Sequence, residues 1–389
     1  MNARPIVSPD DQSVTFVELF FDLVFVFSVT QVAGLFHEHI EWSTVGSAAL
    51  IFWLVWWAWT QFTWALNAAN TDHYLIQLVT LLATAVAFFL AVSVPNAIGE
   101  GALWFAIPYV AVRLVGLLVY RWVSAADQMQ KAAVQTFSLL SLAGLSVVLV
   151  GAVLGGTFQY WLWGFAIVLD VLAAVVGAQL EGWNLHPSHF VERHGLIVII
   201  ALGESLIAAA AGVTDAPRTA ALIAAGVLTV AVSCALWWTY FPYVKPAFER
   251  AMEVREGRAR SCLARDIFSI VHFPMLCGII AFAVAIEASV ARPDMPLVIS
   301  FRTALALGLA LFICGTAVAI WRATGRILFV RMLSVLSTAG VVIVADVPPF
   351  VSLGIVLVML VGIAILEHRT FGAMIIRESV AAQSSAGGI

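Results

Sequence analysis

Apolar residues run through this chain in long blocks separated by short polar clusters. A block of about 20 residues is what a helix needs to cross a ~30 Å hydrocarbon core. Twelve blocks qualify, near 16–35, 44–66, 73–94, 102–123, 131–154, 158–181, 189–212, 218–240, 266–290, 297–320, 326–346 and 348–367. The breaks between them carry the residues that interrupt helices, such as Asn67 to Asn70, Pro95-Asn96, Gly155-Gly156, Arg292-Pro293-Asp294 and Pro348-Pro349. The pattern predicts an all-α polytopic membrane protein with about twelve transmembrane helices.

Composition agrees and narrows the classes. Hydrophobic residues make up 62% of the 389 and charged residues only 11%, with a mean hydropathy of +1.01. Soluble domains carry about 25% charged residues, so this chain is not one. A formal net charge of -4 leaves no basic footprint for nucleic acid. The four cysteines, Cys234, Cys262, Cys277 and Cys314, form no Cys-x-x-Cys pair. They read as small hydrophobes, not as zinc ligands or a disulfide framework. The acidic start MNARPIVSPDDQS lacks the basic region and cleavage site of a signal peptide, so the first helix itself is expected to begin insertion. The end, AAQSSAGGI, reads as a short disordered tail.

Lys and Arg are retained in cytoplasmic loops, which allows the span count to be checked. With the N-terminus inside, the inner segments hold fifteen of the 19: Arg4, Arg121, Lys131, Arg193, Lys245, Arg250, Arg255, Arg258, Arg260, Arg265, Arg322, Arg326, Arg331, Arg369 and Arg377. The outer loops hold Arg218, Arg292 and Arg302, and Arg113 falls within a span. Such a bias predicts twelve spans with both termini cytoplasmic. The basic loop 241–265 reads as a retained topology signal containing a short surface helix, with anionic lipid headgroups as its neighbours.

A repeat is also legible. Phe16-Val17-Glu18 opens span 1 and Phe190-Val191-Glu192 opens span 7; Trp56-Trp57 lies in span 2 and Trp237-Trp238 in span 8; Tyr120-Arg121 ends span 4 and Trp321-Arg322 ends span 10. Six spans per half is an even number, which predicts two parallel six-helix repeats, as in one class of transporter. The halves are 1–182 and 183–370, followed by a tail at 371–389.

Charges within a bilayer are expensive and need partners. Glu18 and Asp22 lie four residues apart on one helical face near a cytoplasmic N-terminus, where the helix dipole favours negative charge. They read either as a cap with an interhelical salt bridge or as a proton or cation site. In span 7, Glu192 and Arg193 stand at the start and Glu204 lies three turns deeper. Arg193 and Glu204 are eleven residues apart and share a face. Gly203 lets another helix approach, and Ser205 follows. An Arg113–Asp170 pair is expected inside the first half, with Tyr109, Gly116 and Tyr120 flanking Arg113 and the stripe Asp170, Ala174, Gly177, Glu181 packing closely. His272 precedes Pro274, which is expected to kink its helix and free a carbonyl. His186, His189, His194 and Glu192 do not converge as metal ligands need to, so no metal or other cofactor is expected.

At these two segments the chain becomes recognisable. VELFFDLVFVFSVTQVAG resembles the opening signature of the bacterial low temperature requirement A family, and FVERHGLIVIIALGESLIA resembles its second signature. The resemblance covers nearly the whole chain. It implies a multi-pass inner-membrane protein associated with growth in the cold, and makes Glu18, Asp22, Glu192, Arg193, Gly203, Glu204 and Ser205 signature positions.

Three functions follow as expectations. In a secondary transporter, Glu18, Asp22, Glu192, Arg193, Glu204 and Ser205 line a pathway for a small solute coupled to protons or cations, with Arg113, Asp170 and His272 in secondary places. In a structural or stress-adaptation protein acting through lipids or partner proteins, the same charges lock the two halves. An intramembrane enzyme is disfavoured, because there is no Gly-x-Ser-x-Gly elbow, no His-Glu-x-x-His and no phosphate loop. The chain is read as a non-enzyme, and oligomerisation is left open.

Overall fold

Thr15 is extended (φ -96°, ψ 159°) and starts the first helix as its N-cap, with Glu18 at the third helical position completing a capping box. From there the chain of this computed structural model is helical nearly throughout. It describes residues 6–9, 12–36, 40–214 and 219–386, without the side chains of 126, 212, 214 and 370–386. The order is α1 (Phe16–Gly34), α2 (Trp42–Ala68), α3 (Tyr74–Ser93), α4 (Ala102–Val123), α5 (Gln128–Leu154), α6 (Gly156–Ala178), α7 (Pro187–Thr214) and α8 (Ala220–Tyr240). Then come α9 (Val244–Glu253), α10 (Gly257–Ala264), a π-helical stretch (Arg265–Val271), α11 (His272–Ala291), α12 (Ile299–Thr324), α13 (Phe329–Val344) and α14 (Pro349–Ala386).

Eleven helices among the described residues are long and apolar enough to cross a membrane. The eleventh expected span, α13, has only 16 residues, about 24 Å of helix at 1.5 Å per residue. Its limits are local. Gly325 closes α12 in the left-handed conformation (φ 74°), and Pro348-Pro349 prevents continuation beyond Val344. The described residues thus form an all-helical fold of the kind a multi-pass membrane protein requires.

The basic loop forms two short helices. One face of α9 buries Val244, Phe248, Ala251 and Met252. Two of its arginines serve the fold: Arg255 donates to the Ala251 and Ala323 carbonyls, and Arg260 to those of Met252, Arg255 and Leu185. At the C-terminus the backbone of α14 is helical as far as Ala386, and the last three residues of the expected tail lie outside the described residues. Arg4 and Arg218, used in the charge count, lie outside the described residues.

Helix α2 holds the centre of the molecule and is buried almost continuously from Ala48 to Ala68, as an all-round apolar helix should be. It contacts α1, α4, α6, α7 and α11. Helix α1 packs on α3 as α7 packs on α11; α3 then packs on α4 and α11 on α12. In the second of these pairs the backbones touch. A Cβ at Gly278 would lie 2.6 Å from the Gly308 carbonyl oxygen, so only glycine permits this approach.

Candidate functional site

The capping carboxylate of Glu18 does more than start a helix. Its Oε2 accepts from the Thr15 backbone N–H (3.0 Å) and hydroxyl (2.9 Å). Its Oε1 turns to α7 and meets Arg193 Nη1 at 3.2 Å and His189 Nε2 at 3.1 Å. One turn along α1, Asp22 Oδ1 accepts from Arg193 Nη2 and from Trp59 Nε1 on α2 at 2.8 Å. The Arg193 guanidinium also lies over the Trp59 ring, 5.7 Å from its centroid. Glu18, Asp22, His189 and Arg193 are all fully buried. Both bland readings of the acids, cap and interhelical bridge, are thus realised together.

The tautomer of His189 follows from Asn67 at the end of α2. Asn67 Oδ1 accepts the His186 backbone N–H (2.8 Å), which orients the amide so that its nitrogen faces His189 Nδ1, also at 2.8 Å. That ring nitrogen must accept, so Nε2 carries the hydrogen given to Glu18. The cluster then holds two carboxylates against one guanidinium. Asp22 Oδ2 and Arg193 Nε are buried and have no hydrogen-bond partner among the described residues.

Deeper along the same pair of helices, Thr30 on α1 donates to Glu204 on α7 at 2.6 Å. Arg193 and Glu204 therefore do face α1 together. Because Glu18 pairs with Arg193 and Thr30 with Glu204, both helices run in the same direction.

Other nominated residues go elsewhere. Glu192 is exposed, whereas Arg193 beside it is buried, and it does not join the cluster. Its separation from Arg193 follows from the turn of about 100° between neighbours in a helix. Ser205 turns away from Glu204, bonding the Leu202 carbonyl (2.6 Å) and Ser233 on α8 (2.9 Å). His272 sits in an aromatic box with His194, Tyr240, Phe248 and Phe268. Its Nδ1 donates to the Ile267 carbonyl (2.8 Å), leaving Nε2 to accept from the Tyr240 hydroxyl (2.9 Å). In the wider turn of the π-helical stretch the Ser269 carbonyl, five residues before Pro274, accepts from Trp56 Nε1, whereas the Ile267 carbonyl takes both the backbone N–H and the Nδ1 of His272.

The expected Arg113–Asp170 pair forms at 3.0 Å, with Arg113 also reaching Tyr109 (2.6 Å) and Gln61. Asp170, Ala174 and Gly177 are buried as a stripe, whereas Glu181 lies exposed beyond the end of α6. A third buried pair escaped sequence reasoning. Arg331 on α13 binds Glu367 on α14 at 2.7 Å, Thr316 on α12 and the Thr239 carbonyl on α8. Its position at a helix end had marked it only as a cytoplasmic charge. Asn67, Trp59 and His189 were likewise missed as members of the cluster. A polar Asn inside an apolar helix was the one signal available. Among the described residues no three His, Cys, Asp or Glu side chains group as metal ligands do.

The family described as bacterial low temperature requirement A protein matches residues 13–365, which include every residue of the cluster except Gln12, whose side chain lies 3.4 Å from His189. An uncharacterized protein of Rhizobium meliloti (strain 1021) is similar, 27% identical over 387 positions that cover 92% of this chain and 90% of that protein. No solved structure matches.

Proposed function

The chain belongs to the bacterial low temperature requirement A family, and on that premise we propose that it is a proton- or cation-coupled secondary carrier of the inner membrane. The observation that carries this reading is the charge count at the α1–α7 interface. Glu18 and Asp22 share the single charge of Arg193, and Asp22 Oδ2 lacks a partner. A site with one surplus buried negative charge is balanced by taking up one proton or monovalent cation, because an uncompensated charge in a low-dielectric interior is costly. Uptake at Asp22 weakens its hold on Arg193, and the two helices are then free to part. Glu204 is the deeper carboxylate on the same interface.

Two six-helix halves with both termini cytoplasmic suit this role. The shared direction of α1 and α7 supports parallel halves, as do the matching neighbours α1–α3 with α7–α11 and α3–α4 with α11–α12. Each half also ties a buried arginine to a carboxylate on its last helix, Asp170 or Glu367.

Proteoliposomes enclosing a pH-sensitive dye, challenged with pools of small solutes, test the reading. Wild type should give a solute-driven pH change that Asp22→Asn and Glu204→Gln abolish without loss of fold. Wild-type flux in both variants overturns it. A second reading, a structural lock for cold or stress adaptation, is favoured by the complete burial of the cluster. It predicts no flux in any pool, and recovery of cold growth when Glu18→Arg is combined with Arg193→Glu.

A further inference from the structure

A cavity of about 460 Å³ lies at the other end of α1 from Glu18, between α1, α2, α11 and α12. Trp42 and Ile299, the first residues of α2 and α12, form its rim. Phe52, Cys277 and Leu311 form its floor. Trp42 to Phe52 is ten helical steps and Ile299 to Leu311 is twelve, so the cavity is about 15–18 Å deep at 1.5 Å per residue. That is about half of a ~30 Å hydrocarbon core, the depth of one leaflet.

The wall suits hydrocarbon. Ser300 and Thr303 stand near the rim, and the Thr303 hydroxyl is already given to the Ile299 carbonyl at 2.8 Å. Deeper side chains are apolar except Cys277, whose thiol behaves as a small hydrophobe. Apolar cavities do not hold water. Small residues make the width: Ala48 and Ala49 on α2, Ala281 on α11 and Ala304 on α12. Leu307 and Leu311 are exposed and open one side to the bilayer, while Trp42, 80% exposed, stands where indole rings meet headgroups. Spread over its depth, the volume gives a mean cross-section of about 25–30 Å². A helix ~10 Å across occupies about 80 Å², so a helix from a second copy does not fit, whereas one extended hydrocarbon chain does.

We propose that this cavity binds one acyl chain of a bilayer phospholipid, in the leaflet away from the Glu18–Arg193 cluster, with its headgroup level with Trp42 and Ser300. At ~30 Å³ for a group the size of a water molecule, the volume takes roughly fifteen such groups, and a methylene is of similar size. The walls come from α1 and α2 on one side and α11 and α12 on the other, so the chain fills a seam between segments far apart in sequence. Binding there requires no transport, so it stands apart from the carrier reading.

The test places the full chain in phospholipid nanodiscs containing phosphatidylglycerol with a photoreactive diazirine at the end of one acyl chain. Adducts are mapped by peptide mass spectrometry. Phe52 is 3% exposed, so lipid merely surrounding the protein does not reach it, whereas exposed Leu82 on α3 reports such lipid. Adducts should form at Phe52 and Cys277 as well as at Leu82. A diazirine beside the headgroup should instead mark Trp42 and Ser300. Ala281→Phe and Ala304→Phe, which fill the cavity, should each lose the Phe52 and Cys277 adducts and keep those at Leu82, with Tm held or raised. Labelling of Leu82 without Phe52 or Cys277 in wild type overturns the proposal, as do floor adducts that persist in both filled variants. Displacement of the floor adducts by equimolar free fatty acid, or a photo-crosslinked second copy at Phe52 or Cys277, overturns the phospholipid as occupant.

Discussion

Arg193 on α7 reaches both acids of α1, lying 3.2 Å from Glu18 through one terminal nitrogen and bonding Asp22 through the other. A single side chain thus couples helices whose pairing residues are 175 and 171 positions apart. The pairs are fully buried, so their removal cannot be compensated by water.

Arg193→Met should be severely destabilising, by about 3–5 kcal/mol, because it leaves two buried carboxylates without their counter-charge. Adding Glu18→Gln and Asp22→Asn should restore most of the loss. Thermal unfolding of the purified single and triple variants checks this; a triple variant no better than the single would show that packing, not charge, is what Arg193 supplies.

Glu192 is the internal control. Being exposed beside Arg193 in sequence, Glu192→Gln should change stability by no more than about 0.5 kcal/mol and leave function intact. A loss as large as that of Arg193→Met would place Glu192 in the cluster after all.

The Asn67 amide is expected to set the hydrogen on His189. Nitrogen NMR of histidine-labelled protein should show the Nε2–H tautomer at His189. Asn67→Leu should abolish that preference, and an Nδ1–H signal in wild type would contradict the assignment.

Close backbone packing makes Gly278 and Gly308 intolerant of even one methyl group. A Cβ at Gly308 would stand 2.7 Å from the Gly278 carbonyl oxygen and 2.8 Å from the Phe282 nitrogen. Either Gly→Ala change should cost about 1–3 kcal/mol through overpacking. At Gly340, where nothing lies within 4 Å, the same change should be neutral or stabilising by up to about 1 kcal/mol. Urea or thermal unfolding that ranks all three alike would count against the α11–α12 contact.

Hydropathy alone determined that this chain is helical and multi-pass, because the bilayer demands about 20 apolar residues for each crossing and satisfied backbone groups along the way. The same constraint made the rare interior charges legible as residues in need of partners, and so the pairing of Arg113 with Asp170 followed from scarcity, as did the need of Glu18 and Asp22 for a counter-charge on another helix. Only the tertiary structure decided which neighbours completed the sites. Trp59 and Asn67 lie in a helix whose uniform apolarity hides its facing, and adjacent Glu192 and Arg193 part because a helix turns about 100° per residue. Arg331, at a helix end, had the sequence environment of a solvated charge, and burial beside Glu367 came from the packing of α13 against α14, α12 and α8. Spacing along one helix fixes direction, whereas the partner across the interface is set by packing between segments far apart in the chain.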